Sequence, residues 1–337
     1  MAITIKDVAK EAGVAPSTVS RVLNDNPRIS QATKKIVMEA VERLNYYPNT
    51  AAQSLVNRST KTIGIVIPSD ASDLFKNPFW INVIRGISMY AQQNGYYISF
   101  STSKDAKEEM KILRDYVRRK VVDGIILLIA RTDDESIAYL REVNFPFSVV
   151  GKPQDTEEIL WVYNDNYTAM YDVVEQLIEM GHKEIAFIGG PKSMNVSKDR
   201  LRGYKEALQK SNLIYKSQLV CHGEDFTEKV GYEMASCLFL HESPTAIVTT
   251  DDVLSVGVST FLKENNKEPL AIVGFNNAPM AEYQHPPLAS VDINAEQLGY
   301  HGARLLIQFL ATGDRTDHSH MVPVELIKRE SMSKVKE

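Results

Sequence analysis

The chain has 337 residues, of which 44% are hydrophobic and 24% charged, with 38 Lys and Arg against 43 Asp and Glu for a net charge of -5. That length suits two or three domains. No apolar run reaches the roughly 20 residues of a membrane helix, and Cys221 and Cys237 are too few to staple a chain of this size or to form a metal site at the usual spacings. No apolar signal core follows the first ten residues, so a reduced, cytoplasmic protein is expected. The net charge taken whole argues against a nucleic-acid partner, yet it is unevenly spread. Residues 1–60 carry eight basic and five acidic side chains, a net +3, and the remaining 277 residues carry -8.

The basic head opens with two helical patterns around a tight turn. Thr4 is placed to cap the first, with Asp7 at its third position. Ile5, Val8, Ala9 and Ala12 share one face, and Gly13 ends the helix. A second helix begins near Ala15-Pro16, where the missing proline N–H costs nothing. Its Val19, Val22 and Leu23 point inward, leaving Ser17, Thr18, Ser20 and Arg21 for an outer face. Asn24-Asp25-Asn26-Pro27 makes a turn. Ser30 then caps a third helix through Leu44, whose Ile36, Val37, Ala40, Val41 and Leu44 recur at three and four. Three short helices with this turn describe a helix-turn-helix unit.

The order of residues says more than their period. IKDVAKEAGVAPSTVSRVLN followed by TKKIVMEAVERLNYYPNTAAQSL resembles the head of the LacI/GalR family of bacterial repressors. The resemblance implies a DNA-binding domain over residues 1–47 and a hinge helix and linker over 48–61. It places Pro16, Ser17 and Arg21 where base edges are read, and Thr18 and Ser20 beside phosphates. Thr4, Asn24, Asn49 and Ala52 join these as implied DNA contacts. Leu55 matches the leucine that wedges between base steps in the minor groove. Ala15 departs from the family, which usually carries a capping serine there; such a loss costs about 0.5–2 kcal/mol and leaves the fold possible.

From Thr62 onward, apolar strand runs alternate with amphipathic helices. Strands are expected at Ile63–Ile67, Tyr97–Ser101, Ile125–Ile129, Phe147–Val150, Ile185–Gly189, Gln218–Cys221, Ala246–Thr249 and Ala271–Phe275. Helices are expected at Phe79–Asn94, Lys107–Arg119, Asp134–Val143, Tyr167–Met180, Asp199–Ser211, Phe226–Leu240 and Val253–Asn265. Continuous apolar strands between helices predict parallel sheets covered on both faces. The alternation resets near Trp161, which favours two doubly wound sheets.

IGIVIP, GHKEIAFIGGP, RLRGYKEAL, PTAIVTTDD, IVGFNN and HPPLASV extend the resemblance over nearly the whole chain. They imply an α/β core of the periplasmic-binding-protein type over residues 62–337. Its N-subdomain is expected at about 62–160 plus 291–320, and its C-subdomain at about 161–290 plus 321–330. Ligands of parallel sheets sit beyond the strands' carboxyl ends, here between the lobes. The resemblance points to Arg200, Asp251 and Asn276 as polar ligand contacts, the last where many relatives carry Asp. Flat aromatic faces suit a sugar ring, which makes Phe79, Trp80, Trp161 and Phe275 candidates, with Tyr283 a further one.

Dinucleotide, P-loop and nucleophile-elbow fingerprints are missing from the sequence, and the histidines are scattered, so neither an enzyme, a cofactor nor a metal is expected. A transport-linked sugar receptor would account for the body and leave the head unexplained. PSTVSRVLN and DNYTAMYDVVEQLIEMGHKEIAFIGG bring the chain nearest to the family's maltose-operon branch in Gram-positive bacteria. The expected partners are double-stranded operator DNA, a small sugar such as maltose, and a second copy of the chain in a homodimer. The alternative is a carbon-catabolite regulator with a phosphorylated carrier protein as co-repressor. The charged tail beyond Lys328 lacks the leucine heptads of a tetramerisation bundle.

Overall fold

The computed structural model describes residues 3–23, 25–47, 59–69 and 74–335. The chain forms two compact units, residues 1–60 and 61–337.

In the first unit, α1 (Ile5–Ala12), α2 (Pro16–Leu23) and α3 (Gln31–Arg43) enclose Val8, Ala9, Val19, Val22, Val37 and Ala40. The Thr4 N–H and hydroxyl both donate to the Asp7 carboxylate at 2.8 Å. These bonds hold the Asp7 carboxyl below its ordinary pKa. Gly13 takes φ 65° after α1, the left-handed conformation that suits glycine. The Ala15 carbonyl accepts from the N–H groups of Thr18 and Val19 at 2.9 and 3.2 Å. The backbone thus starts α2 although the Ala15 side chain cannot cap it. Ser30 caps α3 by accepting from the Thr33 N–H at 3.2 Å, and Arg43 bonds Glu11 at 2.7 Å to tie α3 to α1. Ile36 is 51% exposed. It stands at the rim of the stripe that Val37, Ala40, Val41 and Leu44 turn inward.

The second unit holds two six-stranded sheets. In the first, β1 (Thr62–Ile67), β2 (Tyr97–Thr102), β3 (Gly124–Leu127), β4 (Phe147–Val150) and β5 (Leu160–Tyr163) alternate with α4 (Pro78–Gln93), α5 (Ala106–Arg119) and α6 (Glu135–Glu142). The chain then crosses to α7 (Asn166–Glu179) and builds the second sheet from β6 (Ile185–Gly189), β7 (Val220–His222), β8 (Ala246–Thr249), β9 (Ala271–Phe275) and β10 (Ala289–Asp292). Between these lie α8 (Asn195–Lys210), α9 (Glu228–Leu238), α10 (Asp252–Glu264) and the short α11 (Pro279–Glu282). The chain returns to the first lobe as α12 (Ala295–Thr312) and β11 (Ser319–Met321), then ends in the second with β12 (Glu325–Ile327). The strand orders are β11-β5-β4-β3-β1-β2 and β12-β10-β9-β8-β6-β7.

This topology corrects the expected boundaries. The division at 160/161 falls inside β5, which pairs with β4 and keeps Trp161 in the first sheet. Val291 lies in β10 of the second sheet, so the return begins beyond Asp292. All pairings are parallel except β10 with β12. Strands of both sheets run toward the interlobe space, and β11 leads directly into β12. A strand entering the second sheet from that side has to run against its neighbours.

Three crossings therefore join the lobes, and one side chain ties them. The buried Asn164 donates from Nδ2 to the Ile293 carbonyl at 3.0 Å and to the Val322 carbonyl at 2.9 Å. Within the first lobe, α4 and α12 approach through facing glycines. A Cβ on Gly86 would meet the Glu296 carbonyl oxygen, and one on Gly299 the Val83 carbonyl. Backbone cannot yield as a flexible side chain does, so Gly86→Ala is expected to destabilise the core by about 1–3 kcal/mol, read by urea denaturation.

Candidate functional site

On the head, Pro16, Ser17 and Arg21 are exposed along α2, Thr18 and Ser20 are half-buried, and Thr4 is exposed ahead of α1. The α2 register sets this division: Val19 and Val22 face the head's core and turn the intervening positions outward. A helix presenting one arginine, short hydroxyls and a proline start is sterically able to enter a major groove. Asn24, Asn49, Ala52 and Leu55 lie outside the described residues.

Between the two lobes is a cleft of about 820 Å³, counting its open mouth. Phe79, Trp80, Arg200, Asp251 and Asn276 all line it. Arg200, on α8, is 4% exposed and its guanidinium lies 4.0 Å from the Phe275 ring centroid. It donates to Asn166 Oδ1 through Nε at 3.0 Å and a terminal nitrogen at 2.7 Å, and to the Thr250 carbonyl at 2.5 Å. Among the described residues these bonds use three of the five guanidinium N–H groups. Burial lowers its pKa to about 9, so it remains a cation at neutral pH.

Asp251 follows β8 and caps α10, accepting from the Val253 N–H at 2.8 Å. Its other oxygen accepts from Asn276 Nδ2 at 2.7 Å and from Asn77 Nδ2 at 3.1 Å. Burial raises its pKa to about 6. Asn276 follows β9 at φ 99°, a conformation that is strained for a side-chain-bearing residue and tends to persist at functional sites. Asn77 caps α4, accepting from the Phe79 N–H at 3.0 Å. It belongs to the first lobe and Asp251 to the second, so their hydrogen bond spans the cleft.

A second set of bonds closes the lobes beside the crossings. Arg131 and Met194 form an antiparallel bridge, with Thr132 N–H donating to the Ser193 carbonyl at 3.0 Å and Asn195 N–H to the Ala130 carbonyl at 3.1 Å. The Asn195 side chain adds a bond from Nδ2 to the Lys152 carbonyl at 3.0 Å.

Three aromatic expectations need correction. Trp161 does not line the cleft; it is 7% exposed in the first lobe's core, its ring 4.5 Å from that of Tyr163. Tyr163 does line it, because it lies two residues further along β5, about 7 Å closer to the carboxyl end. Phe275 is fully buried beneath Arg200 and supports the guanidinium without bordering the cavity. Tyr283 is 76% exposed and outside the lining. Sequence reading missed Asn77, Asn166, Asn195 and Phe226. Asn77 before Pro78 is a helix-start signal that could have marked the first; Asn166 meets Arg200, and Asn195 meets Lys152, only through the tertiary fold. Asn277, next to Asn276, is structural: it donates to Asp292 at 3.0 Å and accepts from Arg329 at 2.7 Å.

The cleft thus joins apolar ring faces to a buried cation, a carboxylate and several amides. Such a set suits a neutral ligand rich in hydroxyls, each able to donate and accept. Among the described residues, no group of three or more His, Cys, Asp or Glu could hold a metal ion, and no helix is long and apolar enough to cross a membrane.

Comparison with known proteins supplies the frame. The family model of bacterial regulatory proteins of the lacI family matches residues 4–49, and that of the periplasmic binding protein-like domain matches residues 174–332. The HTH-type transcriptional regulator MalR of Streptococcus pneumoniae (strain ATCC BAA-334 / TIGR4) is 40% identical over 314 residues, 92% of this chain and 93% of that protein. The chain belongs to the LacI family. A solved complex of the transcriptional regulator CelR with cellobiose is similar at TM-score 0.77 and 30% identity, covering 98% of this chain and 99% of that one. The lac repressor dimer bound to operator matches at TM-score 0.84 and 22% identity, over 99% and 100% of the two chains, and shows the shared fold. As a LacI-family transcriptional regulator, the chain combines its helix-turn-helix head with a two-lobed core whose cleft is built from both lobes.

Proposed function

We propose that this regulator represses sugar-utilisation genes, binding operator DNA as a homodimer and responding to maltose or a related glucoside held in the cleft. The observation that carries the reading is the bond from Asn77 to Asp251 across the lobes, set beside the buried Arg200. A hydroxyl-rich ligand inserted among these groups has a different affinity for closed and open lobes, and differential affinity is what allostery requires. The likeness to MalR and to the cellobiose complex of CelR supports the choice of a sugar. The exposed face of α2 supplies the operator contacts, and Leu55 the minor-groove wedge. The protein remains in the cytoplasm with the nucleoid.

The test is a mobility-shift screen of genomic fragments repeated with a panel of sugars. A fragment with an approximate palindrome is expected to be retained, with binding that weakens steeply as salt rises, and to be released by maltose. Absence of any specific shift, or of any sugar that alters it, would reject the proposal.

A further inference from the structure

The cleft does not end at the groups that surround Arg200. A second space of about 900 Å³, counting its open mouth, adjoins it beside the crossings. Tyr163, Asn166 and Asn195 line both spaces, so the two adjoin along a shared wall. The outer one is completed by Thr132 and Gln154 from the first lobe and by Lys198 and Arg202 from α8.

From this adjacency we infer a distal subsite: the outer chamber takes the further rings of an oligosaccharide whose first part occupies the inner cleft. The inference rests on the sugar reading above and names the ligand's length class. Two features of the chamber decide the chemistry. One of its cations is matched by a carboxylate, Arg202 with Asp199 at 3.3 Å, and Asp165 lines the same space. An anionic ligand would meet those acids, whereas hydroxyls can accept from Lys198 and Arg202 and donate to Asp165 and Asp199. The walls are also wet: Gln154, Lys198 and Arg202 are exposed, whereas Asn77, Arg200 and Asp251 of the inner cleft are buried. Polar contacts to a solvated chamber add modest affinity per ring and tolerate different chain ends. Lys198 further donates to Thr132 across the lobes, so a ring lodged there touches the elements that define closure.

The experiment is calorimetric titration of the full chain with maltose, maltotriose and maltotetraose. The wild-type protein is expected to bind the three-ring sugar about fivefold to tenfold more tightly than maltose, the worth of one or two added hydrogen bonds. Gln154→Trp, at an exposed loop position that lines only the outer chamber, should bring that ratio to about one and leave maltose affinity unchanged. Arg202→Ala is a second variant that removes a chamber contact without adding bulk, and it should reduce the ratio in the same direction. Equal affinity for all three sugars in the wild type, or a Gln154→Trp variant that weakens maltose as much as maltotriose, overturns the distal subsite and leaves the sugar reading standing. Failure of every sugar to bind overturns the reading itself and this inference with it.

Discussion

Arg200→Met is expected to weaken the sugar effector by about 100-fold or more, while operator binding without sugar stays near wild type. The residue sits where its loss is felt chiefly by a ligand. Three of its N–H groups are held by Asn166 and the Thr250 carbonyl, and its flat face lies on Phe275, so the group is fixed before anything binds. A fixed donor costs no reorganisation when it meets a hydroxyl. Burial also strengthens each charge-assisted bond, worth about 1.5–3 kcal/mol, and two such bonds account for the predicted factor. Methionine fills the same space above the Phe275 ring with a polarizable side chain, so the fold should survive. Removing a cation whose pKa burial has already lowered to about 9 also relieves a desolvation cost. Lysine in its place should not rescue the effector, because a single ammonium cannot reproduce the planar fork. Mobility shift with and without maltose, alongside calorimetry, checks both halves; a variant still released at wild-type maltose concentrations would remove Arg200 from the site.

Much of this arrangement was legible in the sequence, for local reasons. The apolar runs at β4, β6, β8 and β9 carry their own boundaries, and the structure places those strands at the residues expected. Arg200, Asp251 and Asn276 were legible through the family resemblance of the motifs RLRGYKEAL, PTAIVTTDD and IVGFNN, and all three line the cleft. The unread parts share a different property. Strands β5, β10, β11 and β12 each flank a crossing between the lobes, where the regular alternation of strand and helix breaks. Their assignment to a sheet depends on which crossing precedes them. The bond from Asn77 to Asp251 spans 174 positions in sequence and exists only where two lobes meet. Trp161 illustrates the converse error: nearness to a crossing along the chain does not give depth along a strand, and depth decides whether a ring reaches the cleft. The net charge misled for a related reason, since a sum over the whole chain hides a basic head on an acidic body.

Depth also governs the second large effect, that of Asp251→Asn. The Asp251 carboxyl is raised from 3.8 to about 6, first by burial, against the opposing pull of its bonds from Val253 and Asn77, of the Arg200 charge and of its bond from Asn276. A carboxyl raised in the folded state binds its proton more readily there than in the unfolded chain. The stability it contributes is therefore fully present below pH 3.8 and lost as pH rises through 6. Above that point the buried carboxylate costs on the order of 3 kcal/mol. Effector binding runs the other way. The ionised form accepts from Asn77 and Asn276 at once, and protonation sets an O–H donor against amide donors. Sugar affinity is thus expected to rise between pH 5 and 7 while the contribution of this residue to stability falls. Asp252, next along the chain, is also raised by burial and by the Asp251 charge, and it accepts from the Ala278 N–H and the Ser290 hydroxyl. The asparagine variant removes that repulsion too. At pH 7.5 it should melt at or above the wild-type temperature, bind maltose about 100-fold more weakly and lose most of the pH dependence between 5 and 7. Calorimetry and thermal melts across that range separate the two trends. A variant that keeps the wild-type affinity profile would show that the carboxylate across the cleft from Asn77 takes no part in holding the sugar.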